Sequence, residues 1–420
     1  MAEKHKLFYG WKVLAALFFV GATGPLARYS MTAFFPLISA EMGWSRSQIG
    51  LAQSVHLWSY ALLSIPAGWM VDRLGGRKTI LIGGILCLAG WLLQSSMHSL
   101  WQLYIYYGLF MAMAVSVTHL VTTQGTSRKW FIRRAGLAAG IIGSAFAVGN
   151  AIFSPIITST SGTFGWRTVS IASAFVFSIP ILLLAYFIVR DTPESIGLHP
   201  DGEISESGTS APQVVSESQW RLRDALKTPQ LWLLFIAYSL CGIVINGLLA
   251  HMVVLVTDFG STVALAGLFV AFFNAPSVFS RVGGGWLGDR YGKKRILIIG
   301  ALIAGLSMFA AWWSIRGLAQ LYIFIPLLGL GLNLSTGLYA PLLGDLYGRR
   351  NVGSLFAILT AGWGLIGGLG PMLWGLIFDN TKSYGLALLI SAVCYVAALA
   401  ALLLVRPLRK KAPESTPGQV

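Results

Sequence analysis

Charge is what this 420-residue chain has least of: Asp, Glu, Lys and Arg supply 11% of it, against about a quarter of an ordinary soluble domain. With 55% hydrophobic residues beside that figure, a water-soluble globular enzyme is excluded. Cysteine is nearly absent. The three thiols, Cys87, Cys241 and Cys394, each sit inside an apolar run, which excludes a disulfide framework and a cysteine-based metal site. No glycine loop cradles a phosphate, and no nucleophile, base and orienting group share a plausible face. Enzymatic catalysis, nucleotide-driven work, and any metal or cofactor are therefore not expected.

What the chain has in abundance is long apolar runs. A hydrocarbon core about 30 Å thick takes about 20 apolar residues per helix. Suitable runs cover 12–35, 48–71, 79–97, 101–123, 135–157 and 166–189, then 230–257, 262–287, 296–315, 321–343, 352–378 and 384–405. The expectation is an all-α membrane protein with twelve transmembrane helices. The stretch 190–228 is rich in Ser, Glu, Pro and Gly and has no apolar periodicity, as a linker does. It separates a six-helix bundle at 1–189 from a second at 229–406, and 407–420 forms a tail. Residues 220–227 suit a short helix on the membrane surface.

Fifteen acids against thirty bases give a net charge of +15. Placing the N terminus inside puts 24 of those 30 bases on the inner side, four outside (Arg46, Arg167, Arg316, Lys382) and two within spans. Lys and Arg stay on the cytoplasmic side, so both termini are expected there, in a bacterial inner (plasma) membrane. Topology accounts for the basic balance, and no nucleic-acid partner is implied.

The chain also repeats itself. Gly68, Asp72, Arg73, Gly75, Arg77 and Lys78 follow the second span, and Gly285, Asp289, Arg290, Gly292, Lys293 and Lys294 follow the eighth, 217 positions later. Arg133, Arg134 and Pro155 are matched 216 positions on by Arg349, Arg350 and Pro371. Parallel repeats of six helices place a binding site where the halves meet, near the midplane. The pattern G-x-x-x-D-R-x-G-x-R-K at 68–78, repeated as G-x-x-x-D-R-x-G-K-K-R at 285–295, resembles the loop motif of the major facilitator superfamily, which implies the major facilitator fold for the whole chain. Asp72, Arg73, Arg77, Asp289 and Arg290 are then candidate gating residues, since an Asp at a helix end beside arginines can lock one packing of two bundles.

Within that superfamily, F-Y-G-W-K at 8–12 and W-F-I-R-R-A-G-L-A-A-G at 130–140 resemble the monocarboxylate transporter and oxalate:formate antiporter group. K-T-P-Q-L-W at 227–232 and Arg281, eight residues before Asp289, extend the likeness, which implies that Arg281 binds substrate. The residues point the same way. Arg28 and Arg281 lie inside spans, where a charge costs about 2.5–3.5 kcal/mol even on a lenient scale, so each needs a water-filled cavity or a partner. For Arg28, Glu41 is one such partner, and for Arg281 Asp289. Asn274 and Ser277 stand seven and four residues before Arg281, a polar stripe on an apolar helix. A guanidinium binds a carboxylate bidentately. Tyr29, Tyr339 and Trp363, with Asn150, Asn246, Asn333 and Thr336, are candidates to complete the pocket.

None of the fifteen acids falls deep in a span, unlike the buried carboxylate of a proton-coupled sugar carrier or cation exporter. Two departures from the group matter. Ser277 stands where the animal-type pattern has an aspartate, and Thr360 where the oxalate carriers have a second cation. Proton coupling then falls to His251, which shares a face with Asp258 at a spacing of seven, or to His119 or His56. A second anchoring charge falls to Arg28. The expected function is secondary active transport of a small organic anion, foremost a monocarboxylate of lactate, pyruvate or formate type, by proton symport and alternating access. A dicarboxylate/monocarboxylate exchanger of the oxalate:formate type and a non-transporting membrane sensor are the alternatives. The expected partners are the anion, a proton or counter-anion, and the lipid bilayer, with the chain a monomer.

Overall fold

The computed structural model describes residues 8–24, 26–132, 134–202, 220, 222–314, 317–348 and 352–408. Among them all regular structure is helical. In hydrocarbon, backbone N–H and C=O groups must be satisfied within the segment, and the apolar runs therefore coil. Among the described residues, ten helical segments are long and apolar enough to cross a membrane: α1 (Tyr9–Met42), α3 (Gly76–Ser95), α4 (Leu100–Trp130), α5 (Leu137–Phe164), α6 (Trp166–Phe187), α7 (Pro229–Asp258), α9 (Lys293–Ser314), α10 (Ala319–Tyr347), α11 (Ser354–Thr381) and α12 (Gly385–Leu404). Two 29-residue helices, α2 (Arg46–Leu74) and α8 (Val263–Tyr291), complete twelve. The lower hydropathy of α2 comes from residues such as Gln53 and His56.

Several spans are interrupted. The helix of α1 runs Tyr9–Thr23 and resumes at Leu26–Met42, with Arg28 in its first new turn. In α4 a π-helical stretch at Leu103–Met111 precedes Ala112–Thr118, and the ladder breaks at His119, whose ψ is −145°, before Leu120–Trp130. The copy of that break lies in α10, between Leu318–Thr336 and Tyr339–Tyr347. A 3-10 turn at Gly367–Leu369 divides α11.

By compactness the chain forms two units. The first is Met1–Glu206 with Gly247–Ala275 and Pro371–Tyr384, and the second is Ser207–Asn246, Pro276–Gly370 and Gly385–Val420. The first unit therefore contains all of α1 to α6 and takes in one end each of α7, α8 and α11. Its core joins Val13, Leu14, Leu17 and Val20 of α1 to Ile80 of α3, Trp130 of α4, Ile142 of α5 and Ile181 of α6. The two motif segments behind the family resemblance meet on this core. Phe8 lies 6.0 Å from the Trp130 ring and 5.9 Å from Phe131, and Trp11 lies 5.0 Å from Phe131. Their polar ends tie down span termini, with Tyr9 Oη donating to Ile188 O (2.9 Å) and Trp130 Nε1 to Arg190 O (3.0 Å). In the second unit the 227–232 segment docks similarly, with the Thr228 hydroxyl 2.5 Å from Tyr347 Oη.

Candidate functional site

Arg28 is half-buried inside the first unit, just past the interruption of α1, with its guanidinium 5.1 Å from the Tyr29 ring centroid. The titratable groups that feel its charge are His56, Tyr60, Tyr107 and His119. Tyr107 Oη donates to Arg28 O at 2.5 Å, and His56 Nδ1 lies 2.9 Å from Tyr107 O, a carbonyl in the π-helical stretch. His119, at the break of α4, has Nδ1 2.9 Å from Tyr60 Oη, while its buried Nε2 has no hydrogen-bond partner among the described residues. Tyr29 and His119 both flank the Phe146 ring, at 5.5 and 6.0 Å. This is an electropositive cluster of phenols and imidazoles. Glu41, the acid that sequence offered to Arg28, is engaged by Arg167 in an ion pair and by Trp166 Nε1 at 2.6 Å.

Arg281 lies in α8 within the second unit, and its side chain and that of Ser277 fall outside the described residues. Asn274 belongs to the first unit and turns its amide back to Val270 O of its own helix, 2.8 Å away. Asn150 and Asn333 do the same with Phe146 O and Gly329 O, whereas Asn246 reaches from α7 to Gly367 O of α11. Tyr339 and Trp363 are brought together in the second unit by Tyr238, whose ring lies 4.6 Å from one and 4.8 Å from the other. Tyr238 was not singled out from sequence, because an aromatic residue in an apolar helix carries no distinguishing spacing.

His251 and Asp258 do belong to one cluster, through residues that sequence did not flag. Arg46, at the start of α2, grips both oxygens of Asp258 at 2.5 and 2.6 Å and donates to Tyr384 Oη at 2.9 Å. The guanidinium lies 3.5 Å from the Phe378 ring centroid. Tyr384 Oη is 2.8 Å from His251 Nδ1, and Nε2 of the same imidazole is 2.8 Å from Pro371 O. Asp379 accepts the backbone N–H groups of Arg46 (3.2 Å) and Ser47 (2.8 Å), and so caps the first turn of α2. All of these residues belong to the first unit, at the end remote from Phe8. The connection spans 212 to 338 positions, beyond the reach of any local motif.

The repeated loops form the remaining feature. Gly75 and Gly292 reverse the chain at φ +84° and +96°. Arg73 lies 4.9 Å from the Trp69 ring, and Arg290 lies 5.5 Å from that of Trp286. Arg77 donates to Tyr186 O of α6 at 2.8 Å, and Lys294 donates to Leu403 O and Val405 O at the end of α12 at 3.0 and 2.7 Å. The two sets of contacts match at an offset of 217 positions. Among the described residues neither Asp72 nor Asp289 makes an ion pair; Asp72 lines an open groove with Gln124 and Arg128.

The model of the Major Facilitator Superfamily matches residues 17–285 and 234–419. The chain belongs to the Major Facilitator Superfamily. This facilitator is 25% identical over 397 residues to the oxalate:formate antiporter of Oxalobacter formigenes, covering 92% of this chain and 89% of that protein. It is 25% identical over 424 residues to the probable sulfoacetate transporter SauU of Cupriavidus necator, with 97% and 96% covered. Among solved structures, a D-xylose-proton symporter aligns at a TM-score of 0.75 with 16% identity, covering 96% of this chain and 98% of that one. The fold is thus that of two six-helix bundles in an integral membrane protein.

Proposed function

We propose that this facilitator is a secondary active transporter of a small organic anion, foremost a monocarboxylate of lactate, pyruvate or formate type moved with a proton by alternating access. The observation that carries this reading is the sign of the charge inside the spans. Arg28 and Arg281 lie within helices, whereas every Asp and Glu among the described residues lies near a helix end or in a loop. A cation placed within a span favours an anionic cargo. The names of the oxalate:formate and sulfoacetate relatives support the same charge class. In this reading Arg281 is the main anchor and binds the carboxylate with its planar fork, while Asn274, Ser277, Tyr29, Tyr339 and Trp363 shape the pocket. At about 4 Å and an effective dielectric of about 20, the pair gains about 4 kcal/mol, enough to select anions over neutral analogues.

Arg28 attracts the anion or holds a second oxygen. Its place in a phenol and imidazole cluster favours a second reading, exchange of a dicarboxylate for a monocarboxylate, because it supplies a second cation. Positive-inside bias orients the reversals at Gly75 and Gly292 to the cytoplasm of a bacterial cell, and the protein acts as a monomer without cofactor or catalytic residues. Uptake into proteoliposomes separates the readings. Symport gives uptake that rises as external pH falls and collapses with a protonophore, and exchange requires an anion in trans. Arg281→Lys keeps the charge and loses the fork. Uptake at low substrate should fall about tenfold, since a charge-assisted hydrogen bond contributes about 1.5 kcal/mol or more. Unaltered uptake in that variant removes Arg281 from the anchor role.

A further inference from the structure

We infer that the cluster joining Arg46, Asp258, Tyr384 and His251 is a proton-released latch, which closes that end of the first unit only while His251 is neutral. The donors and acceptors can be assigned one by one. Pro371 has a carbonyl oxygen and no N–H, so the 2.8 Å contact requires the hydrogen on His251 Nε2. Tyr384 Oη already accepts from Arg46. Its own O–H then has Nδ1 of His251 as acceptor, 2.8 Å away. The order is therefore Arg46 N–H to Tyr384 oxygen, Tyr384 O–H to Nδ1, and Nε2–H to Pro371 oxygen. Every position on the imidazole is used once.

A second proton has no place in this chain. On Nδ1 it would point at the Tyr384 oxygen and leave the phenolic hydrogen without an acceptor, in a site where the imidazole is 0% exposed. Among the described residues the surroundings offer no other partner. From α1 the imidazole meets the Phe35 ring at 5.0 Å, from α11 the Trp374 ring at 6.3 Å, and from α2 the backbone at Gly50, where a Cβ would stand 3.4 Å from Nε2 and 2.4 Å from Pro371 O. The charged groups that face it are Arg46 of α2 and Asp379 of α11, and Asp258 of its own helix is held by Arg46. Asp379 is itself spent on two backbone N–H groups at the start of α2. Opening frees Nδ1 to take a proton from water. The closed form holds one proton fewer than the open form, so acid favours opening and alkali favours closure. The inference needs neither symport nor a particular anion, and an exchanger would be gated in the same way.

The test uses the full chain purified in detergent, with Gln53→Cys as reporter. Gln53 is buried beside the latch, with its Nε2 3.5 Å from Ala250 O, so a maleimide reaches position 53 only when the latch opens. The protein without the reporter gives the background from Cys87, Cys241 and Cys394. Alkylation, corrected for the thiolate fraction, should speed up as pH falls from about 7.5 to about 5.5, by no more than about tenfold per pH unit for one proton. His251→Gln, which can accept from Tyr384 and donate to Pro371 but cannot gain a proton, should be slow and flat across that range. Tyr384→Phe, which breaks the chain without touching the imidazole, should label fast at neutral pH. A pH response that persists in His251→Gln, or its absence in the parent, overturns the proposal. If His251→Gln fails to accumulate, hydrogen exchange on the unsubstituted protein decides. The Met372 amide, bonded to Ser54 Oγ at 3.2 Å, should lose protection in acid relative to amides inside α6, and unchanged protection overturns the latch.

Discussion

The reversal after α2 and its copy after α8 solve one problem with partly different chemistry. Both place glycine at positive φ, both lay an arginine over a tryptophan one turn back, and both send the basic side chain four residues after that arginine to the carbonyls that end α6 or α12. Those carbonyls carry the negative end of a helix dipole and lack intrahelical donors, so a cation there stabilises the end. The lateral tie differs. In the first copy the Asp191 carboxylate accepts the Arg77 backbone N–H at 2.8 Å and fills the space over Gly75. In the second, Lys293 instead reaches Asp345 of α10 at 2.7 Å, and nothing among the described residues lies over Gly292 within 4 Å. Duplication has kept the cap and left the tie free to change, which marks the cap as the shared structural requirement.

Substitutions break the comparison in order of size. Gly75→Ala should be the worst: it meets left-handed strain of about 1–3 kcal/mol, and its Cβ would stand 2.5 Å from Asp191 Cγ. Gly292→Ala should incur the strain alone, so its apparent melting temperature in detergent should fall less. Equal losses would show that Asp191 is not held against the loop. Next comes Asp191→Ala, which removes a capping acceptor and should lower stability by about 1 kcal/mol; a change as small as that from an exposed-loop substitution would deny the cap. Smallest is Asp345→Asn, whose ion pair is half exposed and contributes about 0.2–1 kcal/mol. That last difference should fade in high salt, because exposed pairs are screened, while the Asp191 effect should survive it.

The twelve spans and the repeat were legible in the sequence because each rests on local composition or on a fixed offset. Trp69 and Trp286 stand at the same offset as the arginines above them, so even those stacking pairs were written in register. The break of α4 was not legible. Thr118, His119 and Leu120 contain neither glycine nor proline to announce it, although its copy in α10 does carry Gly337. Arg46 read as one of four basic residues in outer loops, and its roles come from partners hundreds of positions away. A spacing of seven puts His251 and Asp258 on one face, but Arg46 and Tyr384, which join them, carry no local signal.

The capping of α2 by Asp379 bears on how the chain is made. Ser45 and Gln48 already form a reciprocal cap at that terminus, from residues that leave the ribosome together. Asp379 follows Arg46 by 333 residues, which at 5–20 residues per second is roughly 20–70 s of synthesis. The early helix must therefore hold its first turn with the Ser45 cap alone while nine further spans enter the bilayer, and the late carboxylate acts as a clasp fastened only once α11 has been made.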